Sequence, residues 1–139
     1  MSAEYFLDTN VLVYAFDQTA PEKQKRARAL LDVERNWAIS WQVVQEFSSV
    51  ALHRFAKPVS PAFLKNFIEL VLWPKCSVMP SQPMYQTAIE LHHQTQYRYY
   101  DALVLAAAIE SGAPTLYSED LQDGRTFGSL KIQNPFAVK

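Results

Sequence analysis

Residues 102–109 read Ala-Leu-Val-Leu-Ala-Ala-Ala-Ile, eight apolar positions in succession. A helix that is apolar all round cannot lie on a surface and must be covered on every side. The run is far shorter than the roughly 20 residues that cross a bilayer, so the cover has to be protein. With Asp101 read as its N-cap, Gly112 as its end and Pro114 just beyond, the segment predicts a central helix in a layered fold.

The rest of the chain supplies the layers. Tyr5–Leu7, Trp37–Ser40, Thr115–Tyr117 and Leu130–Gln133 predict short apolar strands, and Cys76–Met79 carries the same pattern less fully. Helices are predicted from Val11 to Phe16, from Pro21 to about Asn36 and from Trp41 to Phe55. A further one runs from a Ser60-Pro61 cap to a stop at Pro74, and another from Pro83 to about Gln96. Short strands alternating with helices give an α/β fold, a short and largely parallel central sheet with helices on both faces.

Composition sets the limits. The 139 residues carry 14 acids against 13 bases, a net charge of −1, with no internal repeat or linker-like stretch, which predicts a single domain over residues 1–139. So balanced a chain does not grip nucleic acid by bulk charge, although a local basic patch or a bound cation could supply it. Cys76 is the one cysteine, so no internal disulfide or Cys-based zinc site can form. Only Gly112, Gly124 and Gly128 occur, and none builds a nucleotide-cradling loop. The start, Met1-Ser2-Ala3-Glu4, lacks the basic region of a secretion signal, and the expected compartment is a reducing cytoplasm, away from the membrane.

In a parallel α/β sheet, strand carboxyl ends and helix amino termini share one edge, where ligands bind. Four acids map there. Asp8 ends the first strand, Glu46 lies within two turns of the start of the third helix, Asp101 begins the central helix and Asp120 follows the Thr115–Tyr117 strand. Gathered together they repel one another unless a cation offsets the charge. Oxygen-only ligands suit Mg²⁺ or Mn²⁺, and such ions act on phosphates, which points to metal-assisted phosphodiester hydrolysis. Each acid also has a plainer reading. Asp8 and Asp101 are both plausible helix caps, and Asp120 is a turn residue with Glu119 and Asp123 as rivals. Glu46 stands beside Val43 and Val50 on one helical face, which surface placement explains poorly. Asn10 either caps the following helix or orients a ligand carboxylate, while Thr9 and Ser118 are turn hydroxyls or hydrogen-bond the acids beside them.

Asp8-Thr9-Asn10-Val11-Leu12, Glu46, Asp101-Ala102-Leu103-Val104-Leu105-Ala106-Ala107-Ala108 and Ser118-Glu119-Asp120 together resemble the PIN-domain signature over nearly the whole chain. Within that superfamily the segments look most like VapC toxins of toxin–antitoxin pairs. The resemblance implies a PIN-like fold and a Mg²⁺- or Mn²⁺-dependent endoribonuclease. Asp8 and Asp101 would be the principal metal ligands, and Glu46 and Asp120 would complete the site directly or through water. Ser118 fits the Ser or Thr that precedes the fourth acid by two positions, with Asp123 in reserve for Asp120. The resemblance also implies a homodimer and a VapB-like antitoxin that obstructs the acidic site.

Cations that could meet RNA are Lys23, Lys25, Arg26 and Arg28, then Arg54 and Lys57, Arg98, Arg125 and Lys131. Tyr97, Tyr99 and Tyr100 precede Asp101 but read as packing rather than site residues. A haloacid-dehalogenase-type phosphatase would need a second acid at Asn10. His92-His93 point about 100° apart on a helix and form no metal pair. The alternative from another class is a catalytically inactive PIN-like module that binds RNA or protein.

Overall fold

A computed structural model of the protein describes residues 2–137; residue 1 and residues 138–139, the ends of the predicted 1–139 unit, lie outside that range. The described residues form a six-stranded sheet. Strand β1 (Tyr5–Leu7) sits near its middle, followed by helices α1 (Thr9–Tyr14) and α2 (Pro21–Leu30). Strand β2 (Trp37–Ser40) leads directly into α3 (Trp41–His53). Then come α4 (Pro61–Phe67), a π-helical turn (Ile68–Leu72), α5 (Trp73–Lys75) and β3 (Cys76–Val78). Helices α6 (Gln82–Thr95) and α7 (Tyr99–Ser111) precede β4 (Thr115–Tyr117), β5 (Thr126–Phe127) and β6 (Leu130–Gln133).

The strand order is β3-β2-β1-β4-β6-β5, parallel except for the β5–β6 pair. Phe6 pairs with Ala38 on one side and with Leu116 on the other, so β1 and β4 are adjacent although about 110 residues apart. The chain moves outward from β1 through β2 to β3, then returns across the sheet through α6 and α7 to β4. Right-handed crossovers in opposite directions put helices on opposite faces, which is the predicted two-faced α/β architecture. The gap between β1 and β4 is the point where the direction of winding reverses, and ligands in such folds bind outside the strand carboxyl ends there.

Helix α7 is the central element the sequence requires: Ala102 to Ala108 are all buried, and it packs on α6, β2 and β3. Its alanines allow that close approach. Gly112 ends it at φ +76°, where an added Cβ would stand 2.7 Å from Ser2 Oγ.

Several boundaries differ from the sequence reading. Asp101 is not the N-cap of α7; Arg98 holds that position and Asp101 lies in the first turn. Tyr99, half-buried against the core, opens the helix, and Tyr100 follows with its ring exposed. Helix α2 ends at Leu30 instead of near Asn36, since Asp32 folds the chain into a turn, accepting from Glu34 N at 2.9 Å while its carbonyl accepts from Trp37 Nε1 at 2.9 Å. Helix α1 begins at Thr9, two residues before Val11, because Asp8 is its N-cap. Pro74 does not stop the fourth helix; the wide π turn ahead of it accommodates its missing N–H, and α5 continues through it. Strand β5 has two residues, too few to carry a pattern.

Candidate active site

Asp8 leaves β1 in extended conformation as its carboxylate turns back to cap α1, accepting from Thr9 N at 2.7 Å. Its other oxygen accepts from Ser118 Oγ at 2.8 Å. Ser118 is fully buried just beyond β4, so the β1–β4 pairing brings these two residues together. Burial pushes the Asp8 carboxyl up to about 6; the Ser118 and Thr9 hydrogen bonds oppose this, and the charges of Glu46 and Asp101 add to it.

The other acids are each held by a neighbour. Thr9 Oγ1 donates to Glu46 Oε1 at 2.7 Å, linking α1 to α3. Asn10 Nδ2 donates to Asp120 Oδ2, linking α1 to the loop after β4. Arg98 Nε lies 3.3 Å from Asp101 Oδ2, an ion pair within the first turn of α7. Gln42 Nε2 donates to Tyr100 O at 3.1 Å and ties the helix of Glu46 to that of Asp101. Thr9, Asn10 and Ser118, singled out in the sequence, thus bond Glu46, Asp120 and Asp8 respectively. The acids that the Thr9 and Ser118 hydroxyls bond lie 37 and 110 residues away and are not the acids beside them, while Ser118 Oγ also accepts from Leu121 N as a turn hydroxyl does.

A cavity of about 350 Å³ opens at this edge, lined by Asp8, Glu46, Asp101 and Asp120 with Thr9, Asn10, Arg54 and Arg98. Ser49, not singled out from the sequence, also lines it and stands one helical turn beyond Glu46, a spacing that was the available signal. The rivals of Asp120 are engaged elsewhere. Glu119 accepts from Tyr14 OH at 2.7 Å and pairs with Lys23 Nζ at 2.5 Å, and Asp123 accepts from Asn134 N at 2.9 Å.

Of the predicted RNA-contacting cations, Arg54 and Arg98 reach the cavity. Arg26 and Arg28 donate to Pro135 O and Ala15 O, and Arg125 covers Tyr97 and Phe127. Lys25, Lys57 and Lys131 do not line it. Nor do Tyr97, Tyr99 and Tyr100; Tyr97 OH donates to Gln122 at 2.9 Å, and Tyr100, read in the sequence as packing, is exposed. His92 and His93 are exposed on α6, and His92 Nδ1 meets Tyr97 O at 2.6 Å.

Four carboxylates and no nitrogen or sulfur donor make a set suited to a hard divalent ion. Among the described residues, no three acids, histidines or cysteines are drawn tightly enough together to form a metal cage as they stand. The fit lies in donor chemistry, in the carboxylate charge collected in one cavity and in the raised Asp8 carboxyl, which a cation would return to its ionised form.

An acidic cavity at the winding reversal of a mostly parallel α/β sheet defines a class of proteins able to work on phosphates. The PIN-domain family model matches residues 5–123, and the chain belongs to that family. No curated protein matches it in sequence. Solved structures that share its fold include three from bacteria. A toxin–antitoxin complex from Klebsiella pneumoniae aligns with TM-score 0.70 at 18% identity, covering 96% of this chain and 99% of that one. FitAcB from Neisseria gonorrhoeae gives 0.65 at 21% identity, covering 96% and 99%. The sarcin–ricin-loop-cleaving toxin VapC20 of Mycobacterium tuberculosis gives 0.62 at 16%, covering 84% and 89%.

Proposed function

We propose that this protein is a Mg²⁺- or Mn²⁺-dependent endoribonuclease and the toxin of a toxin–antitoxin pair. The observation that carries the reading is the convergence of Asp8, Glu46, Asp101 and Asp120 on one cavity in a PIN-domain chain. Asp8 and Asp101 would hold the ion, with Glu46 and Asp120 direct or through water. The chemistry such an ion would supply there is Lewis-acid polarisation of a phosphoryl oxygen and a lowered water pKa, as phosphodiester hydrolysis requires.

The chain's own groups do the positioning. Ser118 Oγ and Thr9 N each fix one oxygen of Asp8, which lines the cavity, and each oxygen keeps further acceptor capacity. Thr9 Oγ1 and Asn10 Nδ2 set Glu46 and Asp120 in the same way. Arg98 and Arg54 offer positive charge at the mouth, where the sugar–phosphate backbone of RNA would otherwise meet only carboxylates.

We further propose that residues 1–139 act as one domain in the cytoplasm, as a homodimer neutralised by a VapB-like antitoxin. Among the described residues no helix is long and apolar enough to cross a membrane. The similar structure from Klebsiella pneumoniae is of a toxin–antitoxin complex. Tyr85 and Ile89, one turn apart on α6, are exposed apolar side chains that a second copy would cover.

The test is cleavage of an end-labelled RNA pool with Mg²⁺, with Mn²⁺ and with chelator, beside an Asp101→Asn variant purified identically. Metal-dependent cutting by the parent and its loss in the variant are expected. RNA binding without cutting, equal in both proteins, would establish a binding module instead, and activity confined to small phosphate esters would establish a phosphatase.

A further inference from the structure

A second cavity, of about 580 Å³, opens beside the acidic one, and Val50 and Arg54 line both. Its remaining wall includes Phe16, Arg28, Phe55 and Lys57. Its charge balance is the reverse of its neighbour's: Arg28, Arg54 and Lys57 face a single acid, Asp17, whose Oδ1 already accepts from Thr19 N at 2.9 Å and Thr19 Oγ1 at 2.6 Å. Among the described residues neither Arg54 nor Lys57 forms an ion pair. The aromatic wall is fixed from behind. Phe55 stacks on Phe16 at 5.6 Å between centroids, and Phe16 meets the rings of Phe47 and Phe67 at 5.5 and 5.4 Å.

We propose that this second cavity is a nucleotide subsite. It receives the residue of single-stranded RNA next to the linkage held at the acids, its base against the Phe16–Phe55 wall and its phosphate at Arg54. The inference rests on the ribonuclease reading and deepens it. Each part of the wall answers a part of a nucleotide: aromatic surface for the base, Gln18 and Thr19 for its polar edge, unpaired cations for the phosphate. The volume lies within the range of small-ligand sites. Arg54, common to both cavities, is placed where the backbone would pass from one to the other. An apolar peptide would instead bury three cations against one acid already engaged, a costly exchange.

The experiment uses the whole chain and a labelled, random-sequence single-stranded oligoribonucleotide, followed by fluorescence anisotropy in chelator, so that binding is read without turnover. Arg54→Ala and Lys57→Ala remove exposed side chains and should leave the fold intact, which circular dichroism checks. Each is expected to weaken binding about tenfold and to flatten the dependence of log affinity on log salt by about 0.7, as expected when one fewer phosphate of a single strand is neutralised. Arg54→Lys, which keeps the charge, should recover most of the affinity. In cleavage assays Lys57→Ala should raise KM for the oligoribonucleotide while kcat holds.

Unchanged affinity and salt slope in both variants, with metal-dependent cleavage intact, would overturn the subsite and leave the nuclease reading standing. Salt-sensitive binding that depends on Lys57 as well as Arg54, in a protein that never cleaves, would do the opposite. Should these substitutions spare RNA and instead release a bound protein partner, the cavity is a protein-docking site and the inference fails.

Discussion

The Asp8 carboxylate is almost wholly shielded from water, so its ionisation depends on its partners. Its folded-state value of about 6 lies above that of an unfolded aspartate, and the native chain therefore binds the proton more tightly. In the absence of divalent metal, that contribution to stability is fully present below about pH 4 and is lost as pH rises through about 6. Asp8→Asn should therefore stabilise the metal-free protein by roughly 2–3 kcal/mol at neutral pH, with the gain vanishing below about pH 4. Urea unfolding across that range in chelator measures it, and a variant no more stable than the parent at neutral pH would contradict it. Ser118→Ala acts in the other direction. It strips a donor from a buried carboxylate and should cost about 1–3 kcal/mol of stability and roughly 10–100-fold in metal-dependent activity. At this scale much of the site was legible: an acid at a strand end, an acid on an apolar face and acids at helix starts all pointed to one edge. The hydrogen bonds joining them were not, because Thr9–Glu46 and Asn10–Asp120 span 37 and 110 residues and exist only once the sheet is assembled.

Among the elements, α7 and the loop after β4 carry the most consequence. Gly112 adopts a left-handed conformation; the exposed Ser2 hydroxyl that an added Cβ would approach can rotate away, but Gly112→Ala still meets backbone strain. It should destabilise by about 1–2 kcal/mol, read as a lower urea midpoint with unchanged slope. The loop bearing Ser118 and Asp120 is anchored between them by Glu119, whose carboxyl is held below its usual range: burial opposes ionisation, but the Lys23 and Tyr14 hydrogen bonds outweigh it. Glu119→Gln should barely move the midpoint, since exposed pairs add little, yet amide exchange at Leu121, which donates to Ser118 Oγ, should speed up. Equal exchange in parent and variant would show that the anchor does not steady the loop. Element identities were legible wherever apolar spacing ran for several turns, as in α3, α6 and α7. They failed at ends set by local hydrogen bonds, as at Asp32, and where Tyr99 and Tyr100, aromatic residues of modest helix propensity, opened a helix nonetheless.

On the scale of the whole molecule, the α/β class followed from alternating strands and helices, whereas strand order did not. Nothing local in Tyr5–Leu7 and Thr115–Tyr117 announces that they are neighbours, and their adjacency creates the crevice where the carboxylates meet. Brought from four separate stretches of chain, these carboxylates would act as one divalent-metal site. Titration calorimetry of the intact protein with Mn²⁺, run alongside Asp8→Asn and Asp101→Asn, tests it most directly. Binding by the parent is expected, weakened more than about tenfold by each substitution, together with a rise in parent stability near 2.7 kcal/mol when free Mn²⁺ is about 100 times its Kd and about half that or less in each variant at the same concentration. A parent that binds no Mn²⁺, or variants that bind it as tightly as the parent, would contradict it.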